Sequence, residues 1–510
     1  MADAIERVYA ANLEAQASAL AHHLYQAGAA ADPEKTANYL TIAAQKARAN
    51  AAHEEALAHL ENALSVWDGE ESVRVAELTA QKGAVLLSLR RWDEAANNCR
   101  QAIALFEGAG APEKAAQTGY LLATMYAWRL DFSAFNRTID RALERLGPAE
   151  PDSRGRLLSL RATGMSAAGD IAGAARRREE LGATEDFSMV SFYFHSMQWL
   201  ELLEAAPRVA RAYRDRGDLW SAAESAMPAL VATYCGRPAQ AANDLPGIIQ
   251  PAEKLGHHHI LLACKSFSAG LATARGELRQ AERDAEDAWD FGETHQLAFV
   301  FIAGMIRGGI AQLRGNLSEA ERWFSYGEEP WSHMFGAKDA SLFALWAESK
   351  DPRASDAWAQ RRWKLPRAGQ LNSVGEWTAL ERSVTGLAWM GRREEAAALR
   401  PLTEDLARTG VWLSRTMFPF RTTAGIAAAC AGDWSAAEEH HLTAIHQADT
   451  APYRPAQPTA REWYALMLLD RNCPGDAAKA RDLLSEALAM YESLEMPFHA
   501  NRTSAKLAAL

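Results

Sequence analysis

The feature that most constrains this chain is a short phrase that keeps returning along it. A glycine or its substitute is followed by a polar residue, a hydrophobe, two variable residues and then, nearly always, alanine. It reads RRWDEA at 90–95, GDIAGA at 169–174, GRPAQA at 236–241, GELRQA at 276–281, GNLSEA at 315–320, GRREEA at 391–396 and GDWSAA at 432–437. Looser copies end at Ala56, Phe135, near Ala357 and, expanded to PGDAAKA, at Ala480. The closing residues lie about 40 positions apart, and a fixed period of that size is the mark of a repeat array. One interval, between Ala174 and Ala241, is about 67 residues and must hold two shortened units. Its missing helix is expected near 202–216, ended by Gly217-Asp218.

Each position of the phrase has a physical reading. Glycine just past a helix supplies the left-handed residue that stops it. Asp131, Asp170, Asn316 and Asp433 can then accept from the free amides of the next helix, as Asp32 can ahead of Pro33. The hydrophobe (Trp92, Phe132, Leu317, Trp434) plugs the corner, and the alanine sits where two helices cross. An inward residue follows four on and a small one seven on, as in Ala56/Leu60/Ala63, Ala320/Phe324/Gly327 and Ala480/Leu484/Ala487. The preceding helix has its own small site at Gly83, Ala123, Ala162, Ala229, Ala269, Gly308 and Gly425. Strand-length alternation of β-branched residues is absent. The expectation is an all-α, right-handed superhelical solenoid of eleven or twelve helix–turn–helix units. It divides softly into 1–184, 185–330 and 331–510, with breaks near 184–190 and 330–372; the second is either a hinge or a packing irregularity.

Composition narrows the function classes. Lysine and arginine total 54 against 65 acidic residues, a net charge of −11 that disfavours direct nucleic-acid binding or attachment to an anionic membrane. No apolar run reaches the ~18 residues of a membrane span, and the amino terminus lacks the order of a secretion signal. Five scattered cysteines, never C-x-x-C, read as small core residues in a reducing compartment. Together these point to the cytoplasm.

The phrases resemble the tetratricopeptide (TPR) repeat, although their period exceeds the ~34 residues usual there. The chain resembles the TPR-like sensor arms of bacterial signalling (STAND-type) ATPases, LuxR-type activators and class III cyclase-linked proteins. ALAHHLYQAGAAADPEKTANYLTIAAQKARANAAHEEALAHLENAL near the start and GDAAKARDLLSEALAMYESLEMP near the end carry that likeness. In that family an NTPase module precedes the array. Here no lysine follows a glycine, so a Walker A loop has no place in this sequence, and ATP hydrolysis and cyclase activity do not transfer. The resemblance implies a sensor arm, free-standing or part of a larger protein. Its partners would be a protein or peptide, a small effector, and an NTPase or output domain in cis or trans.

Candidate chemistry is sparse, and no cofactor signature is found. His53 and His59 are six apart and miss the four-residue spacing of a helical metal pair. Consecutive His257, His258 and His259 point in different directions on a helix; His440, His441 and His446 also miss the spacing, and His22 and His23 read as packing residues. The 164–169 segment GMSAAG is one residue too long for a nucleophile elbow and lacks the strand before it. The basic runs 176–178 and 361–364 read as surface, with docking of an acidic partner as the alternative. Sixteen tryptophans are harder to absorb. Phe187, Phe192, Tyr193, Phe194 and Trp199 form one aromatic group, and Trp323, Phe324, Tyr326, Trp331 and Phe335 another. Either they fill core, or their rigid rings build a ligand pocket.

The concave groove is expected to display Tyr120, Thr124, Trp128, Ser159, Thr163, Thr233, Tyr234, Met305, Gln312, Glu381, Thr385 and Trp389. Chaperone-type repeats of the TPR family grip a peptide carboxylate with lysine and asparagine, and neither stands here. The leading expectation is a non-enzymatic binding module that acts as sensor or scaffold in bacterial signal transduction. An enzyme site hidden in the aromatic and histidine-rich centre, or a pure assembly scaffold, are the rivals.

Overall fold

A computed structural model of the chain describes all residues except 1, 11, 51, 68–71, 147–150, 183–184 and 328–331. Trp331 therefore lies outside the described residues. The fold is all-α: antiparallel helical pairs follow one another, and the only β pairing among the described residues is an isolated bridge between Leu413 and Pro419.

The recurrent phrase is the turn inside each pair. The residue at its head is left-handed in the described copies: Gly169, Gly236, Gly276, Gly315, Gly391 and Gly432 have φ between 71° and 87°. Arg90, Leu130 and Lys350 adopt the same conformation at φ 59°, 58° and 61°, where a Cβ costs roughly 1–2 kcal/mol. Where the next residue is Asp or Asn it caps, whereas Arg91, Glu277 and Arg392 make no side-chain cap. Asp131 accepts from the Ala134 amide at 2.9 Å, Asp170 from Gly173 at 2.9 Å, Asn316 from Glu319 at 3.3 Å and Asp433 from Ala436 at 3.1 Å. Asp32 caps helix Pro33–Ala49 in the same way.

The closing alanines at 56, 95, 174, 241, 281, 320, 396, 437 and 480 are fully buried. Small sites on the preceding helices explain why. A Cβ at Gly83 would come 2.8 Å from Cys99 Sγ, at Gly308 2.6 Å from Phe324, and at Gly425 2.7 Å from His441. Each partner stands four residues after its closing alanine, so the two small positions and the larger one between them set the crossing. Near 357 the register differs from expectation. Pro352 follows the Asp351 capper, helix Arg353–Ala359 starts late, and Ala354 takes the buried place while Ala357 is half-buried. In the long interval, helix Trp199–Asp215 supplies the missing copy, and Leu202 closes it, fully buried.

Contacts divide the chain into two compact units, Met1–Gly164 with Glu253–His257, and Met165–Ala252 with His258–Leu510. In the first, pairs such as Ser72–Ser88 with Trp92–Gly108 and Pro112–Trp128 with Phe132–Leu146 stack on their sequence neighbours. The second adds contacts between distant pairs. Arg454 N–H donates to Ala274 O at 2.9 Å, and the Tyr453 hydroxyl donates to Thr233 O at 2.8 Å while accepting from Gly236 N at 2.9 Å. Gly276 leaves room for Leu494, and Gly315 for Phe498.

One non-helical segment enters the second unit. Residues 409–419, between helices Arg400–Arg408 and Phe420–Cys430, form a narrow loop. The Trp412 and Leu413 amides donate to Tyr234 O at 3.0 and 3.2 Å, and Ser414 N–H donates to Phe418 O at 2.9 Å.

Candidate functional site

The structure divides the expected groove residues between the units. In the first, Tyr120, Thr124 and Trp128 follow one another along helix Pro112–Trp128, with Ser159 and Thr163 on helix Pro151–Ala167. All five are half-buried. The Arg156 guanidinium lies 5.3 Å from the Tyr120 ring centre, and Trp128 meets His257 edge-on at 5.7 Å. Thr124 and Thr163 turn their hydroxyls back to the carbonyls of Tyr120 and Ser159.

In the second unit the same positions face an interior. Thr233 and Tyr234 are buried in the 3-10 segment Met227–Tyr234, with Tyr234 between Trp199 and Phe267. Met305 is half-buried against the core. Gln312, Glu381 and Thr385 are buried, and Trp389 is half-buried. Gln312, Thr385 and Trp389 line a cavity of about 60 Å³ together with Arg382, His499 and Arg502. That volume suits a few waters, well below the several hundred Å³ of an ordinary metabolite pocket.

A polar brace surrounds this cavity. Arg502 donates through Nε and Nη2 to both oxygens of Glu462, at 2.9 and 2.7 Å, and through Nη1 to Glu348. Gln312 Nε2 donates to Glu348 at 2.8 Å, and its Oε1 accepts from Arg382 at 3.3 Å. Arg382 also reaches Thr416 on the 409–419 loop. Tyr491 donates to Glu462 at 2.9 Å. His499 Nε2 lies 3.2 Å from Gln312 O and must donate there, which leaves Nδ1 to accept from Arg502 Nη2 at 3.2 Å. The Arg502 guanidinium stacks 4.5 Å from the Trp389 ring centre, and Trp463 covers Trp389 at 4.7 Å. The brace thus ties helices Val300–Leu313, Ala337–Glu348, Val374–Trp389, Ala456–Arg471 and Pro497–Ala508.

Its electrostatics follow from burial and pairing. Burial pushes the Glu348 and Glu462 carboxyls up, but Arg502 more than offsets this and holds both below the usual range. Burial keeps His499 below its ordinary value against the pull of Glu348. Glu381 contrasts with these: fully buried, its carboxyl is raised by burial, with Arg382, 3.5 Å away, only partly offsetting it. A network whose members satisfy each other fixes relative helix positions.

Sequence reasoning missed Arg382, Arg502, Glu348, Glu462, Tyr491 and His499. The available signal was a charged residue inside an apolar stripe, as Glu462 beside Trp463 and Tyr464, or Arg382 within a run of buried positions on helix Val374–Trp389.

The histidines are dispersed. His258 stacks on His295 at 4.3 Å, His259 faces Phe299, and His257 is buried beside Trp128. His440 bonds to Glu404 at 3.1 Å, and His441 is buried between Gly425 and Tyr464. No group of three or more metal-ligating side chains converges among the described residues. Residues 164–167 end a helix, with Gly164 packed on Phe135. Members of both aromatic groups enter packing, Trp199 at 1% exposure and Trp323 against Trp289 at 4.8 Å, whereas Tyr326 is 52% exposed and Phe194 half-buried. No helix of the described residues is long and apolar enough to cross a membrane.

No family model and no curated protein matches the chain. Among solved structures, the chain is similar to one from the crystal structure of the APC/C hetero-tetramer Cut9–Hcn1. Identity is 11%, coverage 97% of this chain and 94% of that one, and the TM-score 0.47. A circular tandem repeat protein with novel repeat topology and enhanced subunit contact surfaces matches at 15% identity, covering 98% and 94%, with a TM-score of 0.15.

Proposed function

We propose that this chain is a non-enzymatic TPR-like binding module that recognises a protein or peptide, or a small effector. It would act as sensor or scaffold in bacterial signal transduction, passing its bound state to an NTPase or output domain in cis or trans. The observation that carries the reading is the ladder in the first unit. Tyr120, Thr124 and Trp128 on one helix and Ser159 and Thr163 on the next stay half-buried at equivalent positions. Rigid aromatic rings interleaved with hydroxyls are what a peptide-recognising surface uses.

The test is a thermal-shift and fluorescence screen of the full chain against peptide and metabolite panels, followed by Trp128→Ala. A hit whose affinity falls about tenfold or more in that variant, at unchanged helicity, supports the groove. A hit insensitive to Trp128→Ala places recognition elsewhere. Turnover in a broad hydrolase screen, or stoichiometric metal in elemental analysis, favours an enzyme instead.

A further inference from the structure

The 409–419 loop has a second face. Thr416 and Phe418 line the braced cavity, whereas Arg415 belongs to a separate cluster with Phe194, His195, His333 and Tyr234. Its guanidinium carbon lies 5.8 Å from the Phe194 ring centre. The His195 and His333 rings are 4.2 Å apart, and Phe194 is 6.0 Å from His333.

His333 is the floor. It is 1% exposed, and neither ring nitrogen makes a hydrogen bond of good geometry, the Ala167 backbone being the polar group nearest in effect. The backbone holds it there: its N–H donates to Ala167 O at 2.8 Å, and its carbonyl accepts from Gly375 N at 2.7 Å. A Cβ at Gly375 would sit 2.7 Å from that carbonyl, so only glycine permits the approach. Above the floor, His195 and Arg415 are half-buried. His195 Nδ1 is engaged by the Ser191 hydroxyl at 3.1 Å. Arg415 Nε is buried without a partner, and among the described residues no carboxylate pairs with this guanidinium. Burial lowers both imidazoles, with further lowering by Arg415, taking His195 down to about 3 and His333 well below its ordinary value. Both rings are therefore neutral at pH 7, and among the described residues no carboxylate balances the one positive charge of the cluster.

A half-buried guanidinium that no described carboxylate meets and a buried imidazole that is poorly hydrogen-bonded are separate costs. One ligand chemistry relieves both. We infer that Arg415, His333 and His195 form a binding site for an oxyanion, the carboxylate or phosphate head of a small ligand. Arg415 supplies the charge through its planar fork, and the neutral imidazoles supply donors without competing charge. Phe194 gives the guanidinium a flat wall to rest on. The inference goes beyond the partner groove and rests on the second unit alone, so either can fail without the other.

The test uses the full chain. Inorganic phosphate and succinate are titrated separately at matched ionic strength, with sodium chloride as the control, while melting and histidine ring nitrogen spectra are recorded. Saturable stabilisation with movement of two histidine signals is expected from at least one probe; phosphate alone identifies a phosphate head, succinate alone a carboxylate. Arg415→Gln is expected to weaken the responding probe about tenfold or more, and Arg415→Lys less. The exposed control Arg322→Gln is expected to change nothing. Without anion, Arg415→Gln is expected to melt no lower than the parent, since it removes an uncompensated charge. Should that variant not fold, the histidine spectra of the parent still decide. Neither probe exceeding chloride, or unchanged histidine signals at saturation, overturns the assignment.

Discussion

The two units apply one turn grammar to opposite ends. In Met1–Gly164 the helix positions beside the small sites carry Tyr120, Thr124 and Trp128 at a half-buried surface. In the second unit the corresponding Thr385 and Trp389 line the cavity of a buried polar brace that includes helices from the far end of the chain, and Glu381 is buried beside Arg382. An array whose repeats touch mostly their neighbours leaves such positions partly exposed, although Trp128 also meets His257. Once distant pairs come together, the same positions become interior and their polar groups need partners. The periodic phrase specifies the hairpins; what lies between distant hairpins is decided separately.

The strongest way to break this contrast is to remove one carboxylate from each unit. Glu462 is fully buried and carries a bidentate bond from Arg502, so Glu462→Ala leaves that buried cation with Glu348 alone and the Tyr491 hydroxyl without its acceptor, and is expected to cost about 3 kcal/mol. Glu107 in the first unit is also paired twice, with Arg141 and Arg145 at 2.9 Å, but both partners are well exposed. Glu107→Ala is expected to cost about 1 kcal/mol or less. Urea midpoints compare them, and equal losses would remove the distinction between braced and open units.

Trp389→Ala and Trp128→Ala sharpen the same point with apolar area. Trp389 is enclosed by Arg502 and Trp463, and its removal is expected to cost about 3 kcal/mol and lower cooperative melting. Trp128→Ala is expected to cost less than half of that, with helicity by circular dichroism nearly intact. A reversed order would mean that the first unit's ladder is the more deeply packed.

These cases mark where the sequence was legible. The turn heads, the caps at Asp131, Asp170, Asn316 and Asp433 and the crossing alanines could all be read, because each is a local requirement repeated many times. Even the shortened copy was locatable from Gly217-Asp218. Near 357, Pro352 displaced the register, because one proline delays a helix start and no neighbouring copy corrects it. The brace was not legible. Glu348, Glu462 and Arg502 lie up to 154 residues apart, and their pairing depends on how pairs of hairpins meet, which no local phrase encodes. The 409–419 loop was missed because two of its amides, Trp412 and Leu413, are satisfied by Tyr234, a partner remote in sequence.

Acid separates two kinds of buried carboxyl. Glu348 and Glu462 are depressed in the folded state, so their contribution is present above the unfolded value and is lost as pH falls through the folded one. Glu381 is raised, so it favours the folded state when protonated and costs stability as pH rises towards its folded value. Glu381→Gln is expected to stabilise by about 1 kcal/mol at pH 7.5, with the gain shrinking towards pH 4.5. Urea melts at the two values check it; a loss at pH 7.5 would mean that the ionised carboxylate is a needed partner of Arg382.

The smallest effect concerns what the units share. Arg90 in the first and Lys350 in the second are left-handed turn heads where most copies use glycine. Lys350 is exposed and Arg90 half-buried, so glycine at 350 removes the Cβ strain and little else, while at 90 it also removes some side-chain packing. Relief of the strain is partly cancelled by the greater freedom of glycine in the unfolded chain. Lys350→Gly is expected to stabilise by about 0.5–1 kcal/mol and Arg90→Gly by somewhat less, both read from urea midpoints. Gains of the same sign in both units would place their difference wholly in the interior. A loss at 350 alone would mean that the turn itself is tuned to the braced unit, and the two units would then differ in their local grammar as well.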